Sequence, residues 1–562
     1  MVNLKGKKTG DLLLLANGLM LMVLINLVAS DYFFRVDLTE DKRYSIKEQT
    51  KSILSELDDE VYVEVYLEGD LNASFRRLRN SIQEVLDEFR IYSGNKVKVS
   101  FTDPGSALSQ QARTEFMQDL SRKGIIPTRV VERKDAQTAE KLIFPGAVIS
   151  YGGMETGVML LKGNKADKQE EEINQSIEGL EYELANAIFK LVNLDRKRIG
   201  FIQGHGELDS LQIASLNNAL LELYDVYKVN LQRKASLREY DALILAKPTQ
   251  AFNETEKFKL DQYVMNGGKL LLMLDRLEAT MDSASREDYF AFPYELRLDD
   301  LLFKYGIRIN ADLLQDRNAG LYPVVTGQQG GKPQLQLMDW PFFPLVNRYA
   351  DHPITRNLDA VMLKFASSLD TVKADGIRKI PLAFTSPYSR KIIAPVPVSI
   401  NEIRRNVRPE NFDQGNLPVA YLLEGRFTSL YKNRFLPDGV DTANYKAEGE
   451  PARIIIISDG DIARNDINPR SGNPQQLGLD PFTNYTFANE ELLLNAVAFL
   501  VDENGLIRTR SKEVKIRPLD KEKIRIEKTK WQVINLVLPI VVLLFYGLVN
   551  MYLRKQKFGK PA

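Results

Sequence analysis

The sequence predicts an α/β protein in which two extramembrane domains are flanked by two transmembrane helices. Three observations point to it. Apolar runs long enough to cross a bilayer lie near both ends, about 18 residues in DLLLLANGLMLMVLINLVAS and about 23 in Trp531–Leu553. Between them, strand-like runs alternate with amphipathic helical patterns. In the second half several strands are apolar throughout, as in a parallel sheet buried on both faces. At 562 residues the chain exceeds what one ordinary core supports.

Composition narrows the chemistry. Lys+Arg and Asp+Glu are both 75, a net charge of zero, which argues against nucleic acid as the main partner. There is no cysteine, so a disulfide, a thiol nucleophile or a Cys-ligated metal is excluded. Two histidines exclude a His-rich metal site. No G-x-x-x-x-G-K-[ST] occurs, so the chain is not a P-loop ATPase. No cofactor is expected.

The elements follow in order. Residues 1–10, with Lys5, Lys7 and Lys8, precede a first span over 11–34. Val28-Ala29-Ser30 leaves a cleaved signal peptide as the alternative. The second span is expected over 530–553, with Trp531 and Tyr552 at the interfaces and Pro539 inside. Arg554, Lys555, Lys557 and Lys560 follow in the basic tail 554–562. By the positive-inside rule both termini are cytoplasmic, and residues from about 31 to 530 lie in the periplasm of a bacterial inner membrane. Asn17, Asn26, Asn535 and Asn550 are candidate contacts to partner helices in the membrane.

Residues 35–195 form the first domain. Ser45 and Glu48 have the spacing of a capping box. VYVEVYLEG reads as a strand, then SFRRLRNSIQEVLDEFRIYS as a helix with Phe75, Leu78, Ile82, Val85, Leu86 and Phe89 on one face. KVKVSFTDPG is a strand, followed by a helix through FMQDLSRKG. IIPTRVVERK is a strand, FPGAVISYGGMETGVMLLKG is a hairpin turning at Gly152-Gly153, and an acidic helix runs from about Lys168 to Leu191. This order resembles the thioredoxin fold, and Ile126-Pro127-Thr128 resembles its cis-proline segment. Without cysteine the redox half is absent, which leaves a binding or spacer module.

Residues 196–505 form the second domain. RIGFIQ, YDVYKVNL, DALILAKP and KLLLMLD are strands, and LDSLQIASLNNALLEL is a helix. NETEKFKLDQYVMNGG is another helix, capped by Asn253 and stopped at Gly267 or Gly268. PARIIIISDGD adds a late strand and NEELLLNAVAFLV a late helix. Residues from about 281 to 450, too many for a loop, are expected to be an α+β insertion or extension of the same domain, containing LRLDDLLFKYGIRIN, VMLKF, IPLAFTS and LPVAYLLEG. The charged stretch 506–529 reads as a solvated linker, with contact of its bases to anionic lipid headgroups as the alternative, and has the pattern to run into the membrane helix from about Asp520.

Ligands of open parallel sheets bind beyond the carboxyl ends of the strands. That edge would carry His205 and Glu207 after one strand, Asp275 after another, and Asp459 and Asp461 after a third. One imidazole and several carboxylates suit a cation, a polarised water or another ligand. The reading these residue types favour is structural, since Gly, Asp and Asn routinely end strands in α/β folds, where they turn the chain and cap helices. His352, in Asp351-His352-Pro353-Ile354-Thr355, reads as a turn or packing residue. The strand order resembles the class I glutamine-amidotransferase-like sheet, a flavodoxin-like parallel architecture. Asp275-Arg276 stands where that superfamily has its nucleophilic cysteine.

Several segments together resemble the GldG family of gliding-motility-associated ABC transporter auxiliary proteins. They are FFRVDLTEDKRYSIKEQTKSIL after the first span, GHGE, LLFKYGIRIN, DHPIT, LKFASSLD, and EKTKWQVINLVLPIVVLLFYGLVN before a basic tail. The resemblance implies a non-catalytic, substrate-binding-like subunit beside a multi-span permease and a cytoplasmic ATPase. The central domain also resembles a group shared with an intraflagellar-transport protein, which suggests a scaffold. A periplasmic solute- or glycan-binding receptor and a divergent hydrolase using the His205/Glu207 turn are the alternatives.

Overall fold

The computed structural model describes residues 7–31, 45–105, 109–134, 137–162, 169–193, 196–285, 289–329, 332–400, 409–440, 442–502, 505, 509 and 521–558. It divides into two compact units, Met1–Lys512 and Glu513–Ala562. Most of the expected charged linker lies outside the described residues.

The first unit opens with helix α1 (Lys7–Asp31), whose residues 13–26 are exposed. Helix α2 (Glu48–Ser55) comes next. Its N-cap is Lys47 with no side-chain cap bond, so the Ser45/Glu48 capping box does not form. A carboxylate from elsewhere replaces it: Glu181 Oε1 accepts from the Lys47 amide at 2.6 Å and from the Thr50 hydroxyl at 2.8 Å. Sequence spacing alone cannot report a cap brought in across 134 residues.

Strand β1 (Val61–Val65), helix α3 (Ala73–Tyr92), strand β2 (Val97–Phe101) and helix α4 (Gln110–Arg122) follow. Then come β3 (Thr128–Lys134), β4 (Gln137–Ile143), β5 (Gly146–Tyr151), β6 (Met154–Met159) and helix α5 (Gln169–Val192). One sheet has the order β2-β1-β5-β6. β1 and β2 are parallel, while β5 and β6 run antiparallel to their neighbours. β3 and β4 form a separate ribbon, of which only the first strand was expected. Gly152 and Gly153, at φ 56° and 82°, make the β5–β6 turn, where a two-residue hairpin needs positive φ twice. Phe75, Leu78, Ile82, Leu86 and Phe89 of α3 are buried in the core as their spacing predicts, and Val85 is partly buried beside them. The expected cis-proline is not found: the Ile126–Pro127 bond is trans, and the cis bond among the described residues is Ala394–Pro395.

The larger α/β region begins with β7 (Arg198–Gln203), α6 (Ala214–Leu221), β8 (Asp225–Asn230), β9 (Ala242–Ala246), α7 (Glu254–Met265) and β10 (Lys269–Met273). Short helices α8 (Met281–Ala284) and α9 (Asp299–Tyr305) lead into the insertion. From it come β11 (Arg348–Tyr349), β12 (Ile377–Phe384) and β13 (Pro418–Thr428), followed by β14 (Glu448–Ile457) and α10 (Asn489–Val501). The sheet order is β11-β12-β13-β14-β10-β9-β7-β8. Five strands, β8, β7, β9, β10 and β14, are mutually parallel. The insertion therefore extends the same sheet, adding three antiparallel strands beside β14.

Register explains the continuous apolar runs. Phe201, Ile244, Leu271, Ile455 and Leu422 lie side by side across five strands and face one core with Leu216 of α6 and Leu493 of α10. Their sequence neighbours Ile202, Leu243, Leu270, Leu272, Ile454 and Ile456 face the opposite core, with Phe258 and Val264 of α7 and Leu302 of α9. A sheet covered on both faces leaves no position for a polar alternate. The crossover from β8 to β9 has no helix. Leu231, Leu237 and Tyr240 of that segment fill the core instead, with Tyr240 against the bare Cα of Gly200.

The second unit contains α11 (Lys521–Phe558), a single helix of 38 residues with Pro539 inside it. Its stretch Lys528–Leu553, of mean hydropathy 2.3, is long and apolar enough to cross a membrane. The helix does continue upstream of the apolar stretch, to Lys521.

Candidate functional site

The carboxyl ends of the parallel strands assemble two buried charge clusters rather than one open site. The first lies at the end of β7. Gly204, at φ 124°, and Gly206, at φ 71°, turn the chain sharply. A Cβ on Gly206 would fall 2.1 Å from Thr249 Oγ1, so the turn requires glycine for space as well as for φ. Glu207 folds back on its own turn. Its Oε2 accepts from the amides of Gly204 at 2.9 Å and His205 at 2.7 Å, and its Oε1 lies 3.2 Å from His205 Nδ1. The His205 carbonyl accepts from the amides of Thr249 and Gln250, which ties the end of β7 to the loop after β9.

The His205 ring is buried, stacked on Phe252 with centroids 3.8 Å apart. Its Nε2 lies 3.1 Å from Glu256 Oε2. Glu256 is at the same time the N3 residue of the α7 capping box, its Oε2 accepting from the Asn253 amide at 2.9 Å. Burial alone would lower the His205 pKa. The carboxylates of Glu207 and Glu256 outweigh it and hold the imidazole above its ordinary value. Burial opposes the Glu256 charge, but the Asn253 amide and His205 lower its pKa overall.

The second cluster centres on Lys247, the residue after β9, at φ 52°. Its Nζ donates to Asp275 Oδ2 and Asp461 Oδ2, each at 2.5 Å. Asp275 Oδ1 accepts from the Gly460 amide at 2.5 Å. Asp459 accepts from the amides of Asp461 and Lys364, both at 2.7 Å. All four charged residues are buried. Burial would strip the Lys247 proton, yet the two paired carboxylates hold its pKa well above the usual value. Burial, then Asp275 and Asp461, push Asp459 well above the usual carboxylate range. A side chain on Gly460 would meet the Lys247 Cβ at 2.6 Å, so glycine lets the loop close over the lysine.

Asp275, Asp459 and Asp461 are thus brought together as expected, around a lysine that the sequence reading passed over. His205 and Glu207 form a distinct cluster whose third member, Glu256, was also missed. A lysine directly after the fully apolar ALILA was the available signal, because an ammonium there needs buried counter-charges. Glu256 was masked by its position in a legible helix start. No three acidic or histidine side chains among the described residues are arranged to hold a metal ion. His352 packs edge-on to Phe499 at 4.9 Å and its Nδ1 accepts from the Ile354 amide at 3.3 Å. Burial is the main cause that lowers its pKa to about 4.

An open cleft of about 520 Å³ runs along α7 beside the helix-less crossover, and reaches the His205 cluster through Gln232, which lines it and bonds Glu256. Phe258 and Tyr263 line it, together with Arg233, Arg238, Val440 and Asn444.

Comparison with known proteins sets this geometry in context. Residues 196–496, more than half of the chain, match the family model described as an ABC-type uncharacterized transport system. The chain belongs to this family of ABC transport auxiliary proteins. The match runs from just before β7 into α10, so both clusters lie inside the family region. Residues 40–150 match a second model, a domain of unknown function, DUF7088. An uncharacterized protein of Borreliella burgdorferi is 22% identical over 566 residues, covering 98% of this chain and 99% of that protein. Among solved structures, the mmIFT52 N-terminal domain aligns with 54% of this chain and 97% of its own at 13% identity, with a TM-score of 0.29.

Proposed function

We propose that this chain is a non-catalytic auxiliary subunit of an ABC transporter, anchored in the bacterial inner membrane with its α/β body in the periplasm. The observation that carries the reading is the state of the strand-end charges in the family region. Lys247 neutralises Asp275 and Asp461, the Asp461 and Lys364 amides occupy Asp459, the Gly204 and His205 amides occupy Glu207, the Asn253 amide occupies Glu256, and these side chains are buried. A catalytic pair needs a group facing substrate. His205 faces Phe252, Glu207 and Glu256 instead.

The finer parts of the reading have separate support. We take α11, whose Lys528–Leu553 stretch is long enough to cross a bilayer, as one anchor over 530–553 and α1, whose apolar stretch Leu13–Asn26 is shorter than a full span, as the other over 11–34, with both termini cytoplasmic. The β2-β1-β5-β6 order supports a thioredoxin-like domain over 35–195. Taken in chain order, the parallel strands lie 2-1-3-4-5, which supports a flavodoxin- or amidotransferase-like domain over 196–505. Membership of the GldG branch, and with it a place in gliding motility beside a multi-span permease and a cytoplasmic ATPase, rests on the segments quoted from the sequence.

Affinity purification of the full chain in mild detergent tests the reading. Recovery of a permease and an ATPase is the expected result. Their absence, with a small molecule bound along α7, would favour a solute- or glycan-binding receptor, the role that the open cleft suits.

A further inference from the structure

The membrane stretch of α11 is not uniform around its axis. At 3.6 residues per turn, successive side chains are rotated by about 100°. Taking Asn535 as zero, Tyr546 lies at about 20°, Pro539 at about 40°, and both Gln532 and Asn550 at about 60°. Every side-chain amide between Trp531 and Leu553, together with Tyr546 about two-thirds of the way along, therefore falls in one narrow stripe. From Val533 to Met551 the rest of the circumference carries only Val, Ile, Leu, Phe, Met and Gly. All these residues are exposed. In hydrocarbon an amide without a partner is costly, and stripes of this kind mark helix–helix contacts.

We propose that this stripe is a contact between two copies of the chain, in which two α11 helices pair in parallel about a two-fold axis. The proposal rests on the membrane-anchored reading above. Two copies inserted by the same rule run in the same direction. A two-fold pair then sets Gln532, Asn535, Tyr546 and Asn550 each opposite its own counterpart at equal depth. That self-match requires no complementary pattern from another chain. The chain's own α1 does not supply one. Asn17 and Asn26 are nine positions apart, about 13 Å along the axis and about 180° around it. Asn535 and Asn550 are about 22 Å apart on one face. The α1 pair matches neither the spacing nor the face.

The chain has no cysteine, so single introduced cysteines report the contact without background. The test uses the full chain in its native membrane, with Val542→Cys and Leu543→Cys flanking the stripe on either edge and Val537→Cys and Leu544→Cys on the far side. After mild oxidation, the flanking positions are expected to give at least about threefold more covalent dimer than the far positions. Asn535→Leu with Asn550→Leu, added to Val542→Cys, is expected to cut that yield by about half or more. Equal yields around the helix overturn the pairing. So does an adduct formed only with a different polypeptide, or no dimer at any position from a chain that sediments with carbonate-washed membranes. A chain that fails to sediment overturns the anchoring itself, and the pairing with it.

Discussion

At the scale of single residues, Lys247 is the most consequential side chain. It is the one ammonium between Asp275 and Asp461, all three buried. Lys247→Met leaves two carboxylates buried without their counter-ion, and breaking a buried pair in this way costs about 3–5 kcal/mol. Urea unfolding of the full chain should show a loss of that order. Replacing both acids by Leu in the Lys247→Met background should recover most of it, because a well-packed apolar cluster needs no counter-charge. The two histidines give opposite pH signatures. His205 is held above its ordinary value of 6.5, so its contribution is full below that value and fades as pH rises through the folded-state pKa. The stability gap between the native chain and His205→Gln should narrow from pH 6 to pH 8. His352 is lowered to about 4, so its contribution is present above 6.5 and lost as pH falls toward 4. Its gap to His352→Gln should narrow on acidification, as read from unfolding midpoints.

At the scale of elements, the legible parts were those whose signal is local. RIGFIQ, ALILA and KLLLM are apolar because each strand is sandwiched between two cores, and that pattern is present in the residues themselves. The Asn253 cap of α7 was equally legible, since both halves of its box lie within four residues. The Ser45/Glu48 reading failed for the converse reason. A carboxylate on α5 took over the start of α2, and a contact across the domain leaves no trace in spacing. The candidate acids were found because they end strands, but Lys247 and Glu256, which decide what those acids do, were not. Their roles come from side chains 28 and 51 residues away in sequence, in Asp275 and His205. Asn253→Ala should cost about 1 kcal/mol, the usual price of a lost N-cap. Gly206→Ala should cost more, since it meets both a φ of 71° and the Thr249 hydroxyl. Thermal unfolding of the two variants should rank them in that order.

At the scale of the whole molecule, the stretch 281–450, read as an insertion or an extension of the same domain, contributes three strands to the edge of the parallel sheet. The three antiparallel strands are joined through Leu422↔Ile455 and Ile380↔Leu422 into the same row of core residues. A break in β13 should therefore destabilise the parallel half. Leu422→Ala, in a fully buried position, should cost about 2–5 kcal/mol in a single cooperative transition rather than releasing a separate domain. The length of α11 has a mechanical consequence. Thirty-eight residues of continuous helix measure about 57 Å, nearly twice the hydrocarbon thickness of about 30 Å. On the anchored reading proposed above, the surplus is shared between the two ends as stiff extensions of the spanning part. On that reading, a rocking of about 10° about the middle of the helix moves each end by about 5 Å, so a small tilt within the bilayer is carried outside it along a rigid lever.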